Sequence, residues 1–254
     1  MPTLYYVSMM RLALLFLGIL AVGIIVYAGW QTLRMRHLIR IGKTLAINSI
    51  RFEQLRDGGS KRILVVGDST AVGTGARDRH GSIAGYFGRD FPRAEIRNFG
   101  VNGCKAEGLA LNFPTLKEHM DLVMIQIGAN DMVQGTPMDA FSKSLASVFD
   151  QAKLAGTHVV ALHSGNIGLA PLFPWPLNSI LRSRTLRYGA EYRRIAAEKG
   201  VTYVDLFHEK NDDPFKGELR FYGEDQFHLS EAGYLNWYQE TRKAMERSGI
   251  FLKD

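Results

Sequence analysis

From residue 61 onward, short apolar runs rich in β-branched residues alternate with longer stretches whose apolar positions return every three or four residues. The first pattern predicts buried strands over residues 63–66, 95–99, 122–127, 159–162 and 201–206. The second predicts helices over residues 82–91, 105–119 (interrupted by Pro114), 138–154, 182–199 and 230–247, the last with Ser230 as N-cap and Glu231 in its first turn. Strands that are apolar throughout and separated by helices point to an α/β fold, a parallel sheet covered on both faces. Two stretches fall outside this period. Residues 164–178 form a long segment carrying Leu169, Leu172, Phe173, Trp175 and Leu177 among three prolines, too apolar for a solvated loop. Residues 208–224 are polar and lead into Asp225 and His228. The chain has no internal repeat and no low-complexity tract.

The N-terminal part reads differently. Residues 12–30 form a 19-residue run without a charge, which as a helix spans roughly 28 Å, close to the ~30 Å hydrocarbon core of a bilayer. Tyr5 and Tyr6 before it and Tyr27 and Trp30 at its far end are rings of the kind found at membrane interfaces. A cleaved signal peptide ending at Val26-Tyr27-Ala28 is the competing reading, but the run is longer than an ordinary signal core and a basic cluster follows it. Residues 31–57 return to helical spacing until Asp57-Gly58-Gly59-Ser60 breaks it. The expected organisation is a membrane anchor over 1–30, a basic and partly helical juxtamembrane linker over 31–60, and a globular domain over 61–254. Arg34, Arg36, Arg40 and Lys43 outweigh Arg11, so the positive-inside bias places the C-terminal side in the cytoplasm. A short N-terminus ending in Arg11 also resembles an export anchor, so the side of the membrane stays open.

The formal net charge of +6 suggests a polyanion as partner only until it is located. Residues 31–62 hold eight basic and two acidic residues, whereas residues 63–254 hold 22 basic and 23 acidic ones. The presumed domain is nearly neutral, which argues against a nucleic-acid partner. The basic cluster suits anionic lipid headgroups or a merely solvated linker equally well. A single cysteine, Cys104, excludes an internal disulfide framework and a cysteine-rich metal site.

Four short segments carry the candidate chemistry: Gly67-Asp68-Ser69, Asn98-Phe99-Gly100-Val101-Asn102-Gly103, Gly128-Ala129-Asn130-Asp131 and Asp225-Gln226-Phe227-His228. The first three follow predicted strands, so their polar residues gather at one sheet edge, where open α/β folds place their sites. A serine hydroxyl needs a neighbouring base, and His228 supplies one. Asp225, three residues earlier, can hold one imidazole nitrogen and leave the other facing Ser69. The N–H groups of Ser69 and Gly103 and the Asn130 amide provide donors for an oxyanion. Asp131 can orient Asn130. His163 and His208 follow strands but read as ordinary loop residues, and Cys104 as a small filler. His-Glu-x-x-His, Walker and dinucleotide glycine patterns are absent, and Ala71 breaks the Gly-x-Ser-x-Gly elbow of α/β-hydrolases.

Over residues 61–248 these four blocks resemble the SGNH hydrolases, also called the GDSL esterase/lipase family. Thr70 departs from the commoner Leu or Ile after the serine. The resemblance implies a flavodoxin-like three-layer sandwich and hydrolysis of acyl esters, of lipids, small acyl groups or acetylated sugars, without metal or other cofactor. It assigns Ser69, Asp225 and His228 to catalysis and Ser69, Gly103 and Asn130 to the oxyanion hole. Other readings are a glycan O-acyltransferase, a sugar O-deacetylase, and an inactive membrane-tethered binding domain. Leu172, Phe173 and Trp175 are the expected wall of an acyl-chain pocket. The expected partners are an acyl ester or lipid and, through the anchor, membrane lipids.

Overall fold

The computed structural model describes residues 2–56, 58–209 and 211–252, with side chains from residue 9 onward. Asp57 and the side chains of Tyr5 and Tyr6 lie outside the described residues. The first element is one continuous helix, α1 (Pro2–Asn48). It is followed by β1 (Arg62–Gly67), α2 (Ser69–Val72), α3 (Ile83–Asp90), β2 (Glu95–Gly100), α4 (Ala106–Leu111) and β3 (Met120–Gln126). Then come α5 (Ala129–Gln134), α6 (Met138–Ala155), β4 (Gly156–Leu162), α7 (Leu177–Lys199), β5 (Thr202–Val204) and α8 (Glu231–Arg247). All five strands pair in parallel in the order β2-β1-β3-β4-β5. That order is the flavodoxin-like one, with its switch point between β1 and β3.

The pleat splits the strands between two cores. In β1, Leu64 and Val66 enter a core shared with α4, α6 and α7, while Ile63 and Val65 face α3 and α8. Every one of these four side chains is buried, as both-face coverage of a parallel sheet requires. Ser82 caps α3 by accepting from Gly85 N, and Ser230 caps α8 by accepting from Gly233 N. The apolar segment after β4 packs onto the body, with Ile167, Ala170, Leu172 and Phe173 buried.

The packed body begins before residue 61. Along α1, residues 9–30 are almost wholly exposed, whereas Arg34, Met35, Leu38, Ile41, Gly42 and Leu45 form a covered stripe at helical spacing. Leu38 joins the core under α6 and α7. Phe52 joins the opposite core, and Gln54 exchanges backbone hydrogen bonds with Ile96 on the edge strand β2. Burial of Leu38 and Phe52, worth ~1.5–3 kcal/mol each, turns the expected linker into part of the domain.

Candidate active site

β1 meets β3 at a place only glycine fits: Gly67 has φ +148°, and a Cβ there would stand 1.9 Å from the carbonyl oxygen of Gln126. The chain then turns into α2, whose first residue is Ser69. As the first residue of a helix, Ser69 has an N–H without an intrahelical acceptor. Asp68 caps that helix through Oδ1, which accepts from Thr70 N at 2.9 Å. Asp68 is buried beside Asp131, and burial raises its pKa to about 6. Asn98, wholly buried at the end of β2, donates to the Ala71 carbonyl at 2.8 Å and accepts from Gly100 N at 2.9 Å. It ties the second sequence block to the turn that presents Ser69.

The fourth block folds back on itself. Asp225 Oδ2 lies 2.5 Å from His228 Nδ1, and Oδ1 accepts from Phe227 N at 3.1 Å and His228 N at 3.0 Å. Burial works to raise the Asp225 pKa, but the hydrogen bond and charge of His228 and the two backbone donors carry it below the usual carboxylate value. Between them Gln226 has φ +59°, a left-handed conformation uncommon for a side-chain-bearing residue. The loop rests directly against the nucleophile segment. A Cβ on Gly75 would stand 2.5 Å from the Leu229 carbonyl and 2.9 Å from His228 Cβ.

Helix α1 closes the other side of this loop. Arg34 Nη2 donates to Gln226 Oε1 at 2.6 Å and to the Pro171 carbonyl at 2.7 Å. Two turns on, Gly42 packs so tightly that a Cβ would lie 2.7 Å from Asp225 Oδ2. Asn102 Nδ2 donates to the Ala46 carbonyl at 2.9 Å, and its Oδ1 accepts from Thr74 at 2.6 Å. Sequence reasoning missed this contact; the spacing of Arg34, Leu38, Gly42 and Leu45 carried the signal.

The second and third blocks are joined as well. Asn130 Nδ2 donates to the Cys104 carbonyl at 3.0 Å, and Asp131 Oδ2 accepts from Ala106 N at 2.9 Å. Asp131 thus anchors the loop after Gly103. Gly103 has φ +76°, and its N–H has no acceptor among the described residues. Each of Ser69 N–H, Gly103 N–H and the second Asn130 Nδ2 hydrogen is free to meet a ligand oxygen.

The family model described as the GDSL-like Lipase/Acylhydrolase family matches residues 65–235, a span holding all four blocks. The chain belongs to this family. No curated protein matches it. Among solved structures, a lipolytic protein of the G-D-S-L family from Veillonella parvula is 20% identical with a TM-score of 0.56, covering 73% of this chain and 98% of that one. The acetylxylan esterase Axe2 from Geobacillus stearothermophilus is 19% identical with a TM-score of 0.55 over 74% and 95% of the two chains. A structure of TesA is 21% identical with a TM-score of 0.59 over 74% and 99%. These likenesses show the shared fold, and the family makes the chain an SGNH-type hydrolase.

Ser69 and His228 of this hydrolase line one partly open cavity of about 70 Å³. No hydrogen bond joins the two side chains among the described residues. Ile167, Ala170, Leu206 and Phe215 wall the cavity, and Leu172, Phe173 and Trp175 do not line it. The apolar segment spends Leu172 and Phe173 on the core, Phe173 packing edge-on against Phe227 at 5.5 Å, and leaves Trp175 72% exposed at the surface. His163 lies apart from the site, buried against Tyr192 and Tyr203 with both ring nitrogens unpartnered, and burial lowers its pKa to about 4. Burial also pushes the Cys104 thiol up to about 11, so it is an unreactive filler.

Proposed function

We propose that the protein is a membrane-anchored serine esterase in which Ser69 is the nucleophile, His228 the general base and Asp225 its partner. The observation that carries this reading is the 2.5 Å contact of Asp225 Oδ2 with His228 Nδ1, on a loop that lines the same cavity as Ser69. An ionised Asp225 accepts from Nδ1–H, which leaves Nε2 with its lone pair to receive the proton of Ser69 Oγ. Oγ attacks the ester carbonyl carbon as that proton moves to His228. The carbonyl electron pair shifts onto oxygen, where the N–H groups of Ser69 and Gly103 and the Asn130 amide oppose the developing charge. Collapse of the tetrahedral intermediate breaks the bond to the alcohol, which leaves with the proton held by His228. Water then repeats the sequence on the acyl-serine, releasing the acid and restoring Ser69.

The apolar walls of the cavity suit the acyl or alcohol group of such an ester. Residues 9–30, exposed along their whole length, support the anchor, since a soluble domain has no reason to present so long an apolar helix to water. The decisive experiment compares full-length protein with Ser69→Ala on short acyl esters and on labelling by a serine-directed phosphonate. The variant is expected to lose both while keeping its circular dichroism. Stoichiometric labelling of Ser69→Ala removes Ser69 from the mechanism.

A further inference from the structure

The cavity beside Ser69 carries a charge that ester hydrolysis does not use. Asp213 lines it, although only 6% of the residue is exposed. Its Oδ1 accepts from Phe215 N at 2.9 Å, and Oδ2 has no hydrogen-bond partner among the described residues. Burial raises its pKa, against which the Phe215 N–H and the more distant charge of His208 work, and His208 does not line the cavity. No lysine or arginine lines the cavity among the described residues. Aromatic rings line the same cavity. Phe215 lies 5.7 Å from Tyr222 at 73° and 6.4 Å from Trp237 at 55°, and Tyr234 and Phe227 complete the wall. The Asp213 charge reaches Tyr222, whose phenol is pushed up by burial and then by this carboxylate.

A carboxylate that keeps one oxygen without a hydrogen bond beside apolar walls favours a ligand that brings a positive charge to it. Aromatic faces attract cations through the ring quadrupole, and trimethylated ammonium groups are the ligands that such walls hold best. A neutral acyl tail gains nothing from the carboxylate and would bury it further. We propose that this cavity is an ammonium subsite, so that the preferred ester carries a cationic amine or trimethylammonium group seated between Asp213 and the rings. The substrate class follows from that of the proposed esterase, on which the inference rests.

The test uses the full-length protein in detergent micelles and 4-nitrophenyl acetate as a neutral reporter ester. Choline and its uncharged carbon isostere, 3,3-dimethylbutan-1-ol, are compared as competitive inhibitors. Choline is expected to bind about ten-fold more tightly than the isostere. Asp213→Asn, which keeps the acceptor for Phe215 N, is expected to remove that difference and leave inhibition by the isostere unchanged. Equal inhibition by choline and isostere in the wild type overturns the subsite, and this comparison stands even if the variant does not fold. A neutral diol of similar length, 1,4-butanediol, competing as well as choline overturns it too. The two readings fail separately. If the reporter ester is not hydrolysed but calorimetry still finds Asp213-dependent choline binding, the esterase reading falls and the subsite holds.

Discussion

His163 and His228 both lie near the C-terminal edge of the sheet, and what each ring touches separates a structural residue from a chemical one. His228 has a carboxylate at 2.5 Å and a cavity beside it. His163 packs against rings and Gly189, the charges of Asp205 and Arg193 act on it in opposite directions, and neither nitrogen is hydrogen-bonded. Burial holds its pKa at about 4 against 6.5 for a free imidazole. As pH falls through 6.5 the unfolded chain gains a proton here that the folded protein refuses until about pH 4. The stability that a neutral His163 confers is therefore complete above pH 6.5 and lost on acidification towards pH 4. That loss amounts to on the order of 3 kcal/mol. Replacing the ring by an apolar group removes the proton linkage. His163→Leu is expected to show a shallower decline than wild type in denaturant-unfolding free energy measured at pH 7, 5.5 and 4. Parallel curves would mean that His163 is protonated without penalty.

At the scale of elements, the strands were legible because each is a short apolar run bounded by polar turns, and β1 to β5 fall where the runs lie. The four blocks were legible because each sits where a strand ends or where a tight loop turns back. Two things escaped. The segment after β4 announces only that it is apolar; whether it lines a cavity or fills the core depends on what α7 leaves uncovered, which is a tertiary matter. The second is Asp213, one of five acidic residues in the polar stretch 208–224 and marked out from the others only by the cavity it shares with Phe215, Tyr222 and Trp237. The lower half of α1 was half-visible, its stripe readable but its partner not. That stripe yields a prediction. A leucine at position 42 cannot fit 2.7 Å from Asp225 Oδ2, so the helix or the Asp225 loop must move. Displacements of about 1 Å at such a site can cost on the order of 100-fold in turnover. Gly42→Leu is expected to lower kcat by that order with little change in KM, while Thr44→Leu, on the exposed side of the same helix, leaves both as they are. Wild-type kinetics in Gly42→Leu would show that the contact does not position Asp225.

Taken whole, the molecule puts its positive charge where the exposed apolar helix ends and keeps the hydrolase body nearly neutral. Hydrophobic insertion and headgroup attraction respond differently to salt and alkali, because burial of apolar surface does not depend on ionic pairing. The full-length protein is expected to stay in the membrane pellet through high salt and alkaline carbonate. A chain beginning at residue 31 should leave it as salt rises. Release of the intact chain by carbonate would overturn the anchor. Because α1 is unbroken from Pro2 to Asn48, the proposed anchor would be a ruler rather than a rope. Gly42 lies twelve positions beyond Trp30, about 18 Å of helix. With the aromatic end of the proposed span at the interface, the contact of Gly42 with the Asp225 loop would hold Asp225 at about that height. On that proposal an ester bond would have to come to that level to be cut, and reach along the membrane normal would be a selection rule separate from the shape of the cavity. The rod also sets azimuth: one residue added between Arg34 and Gly42 turns the helix by about 100° and separates the two contacts that hold the Asp225 loop.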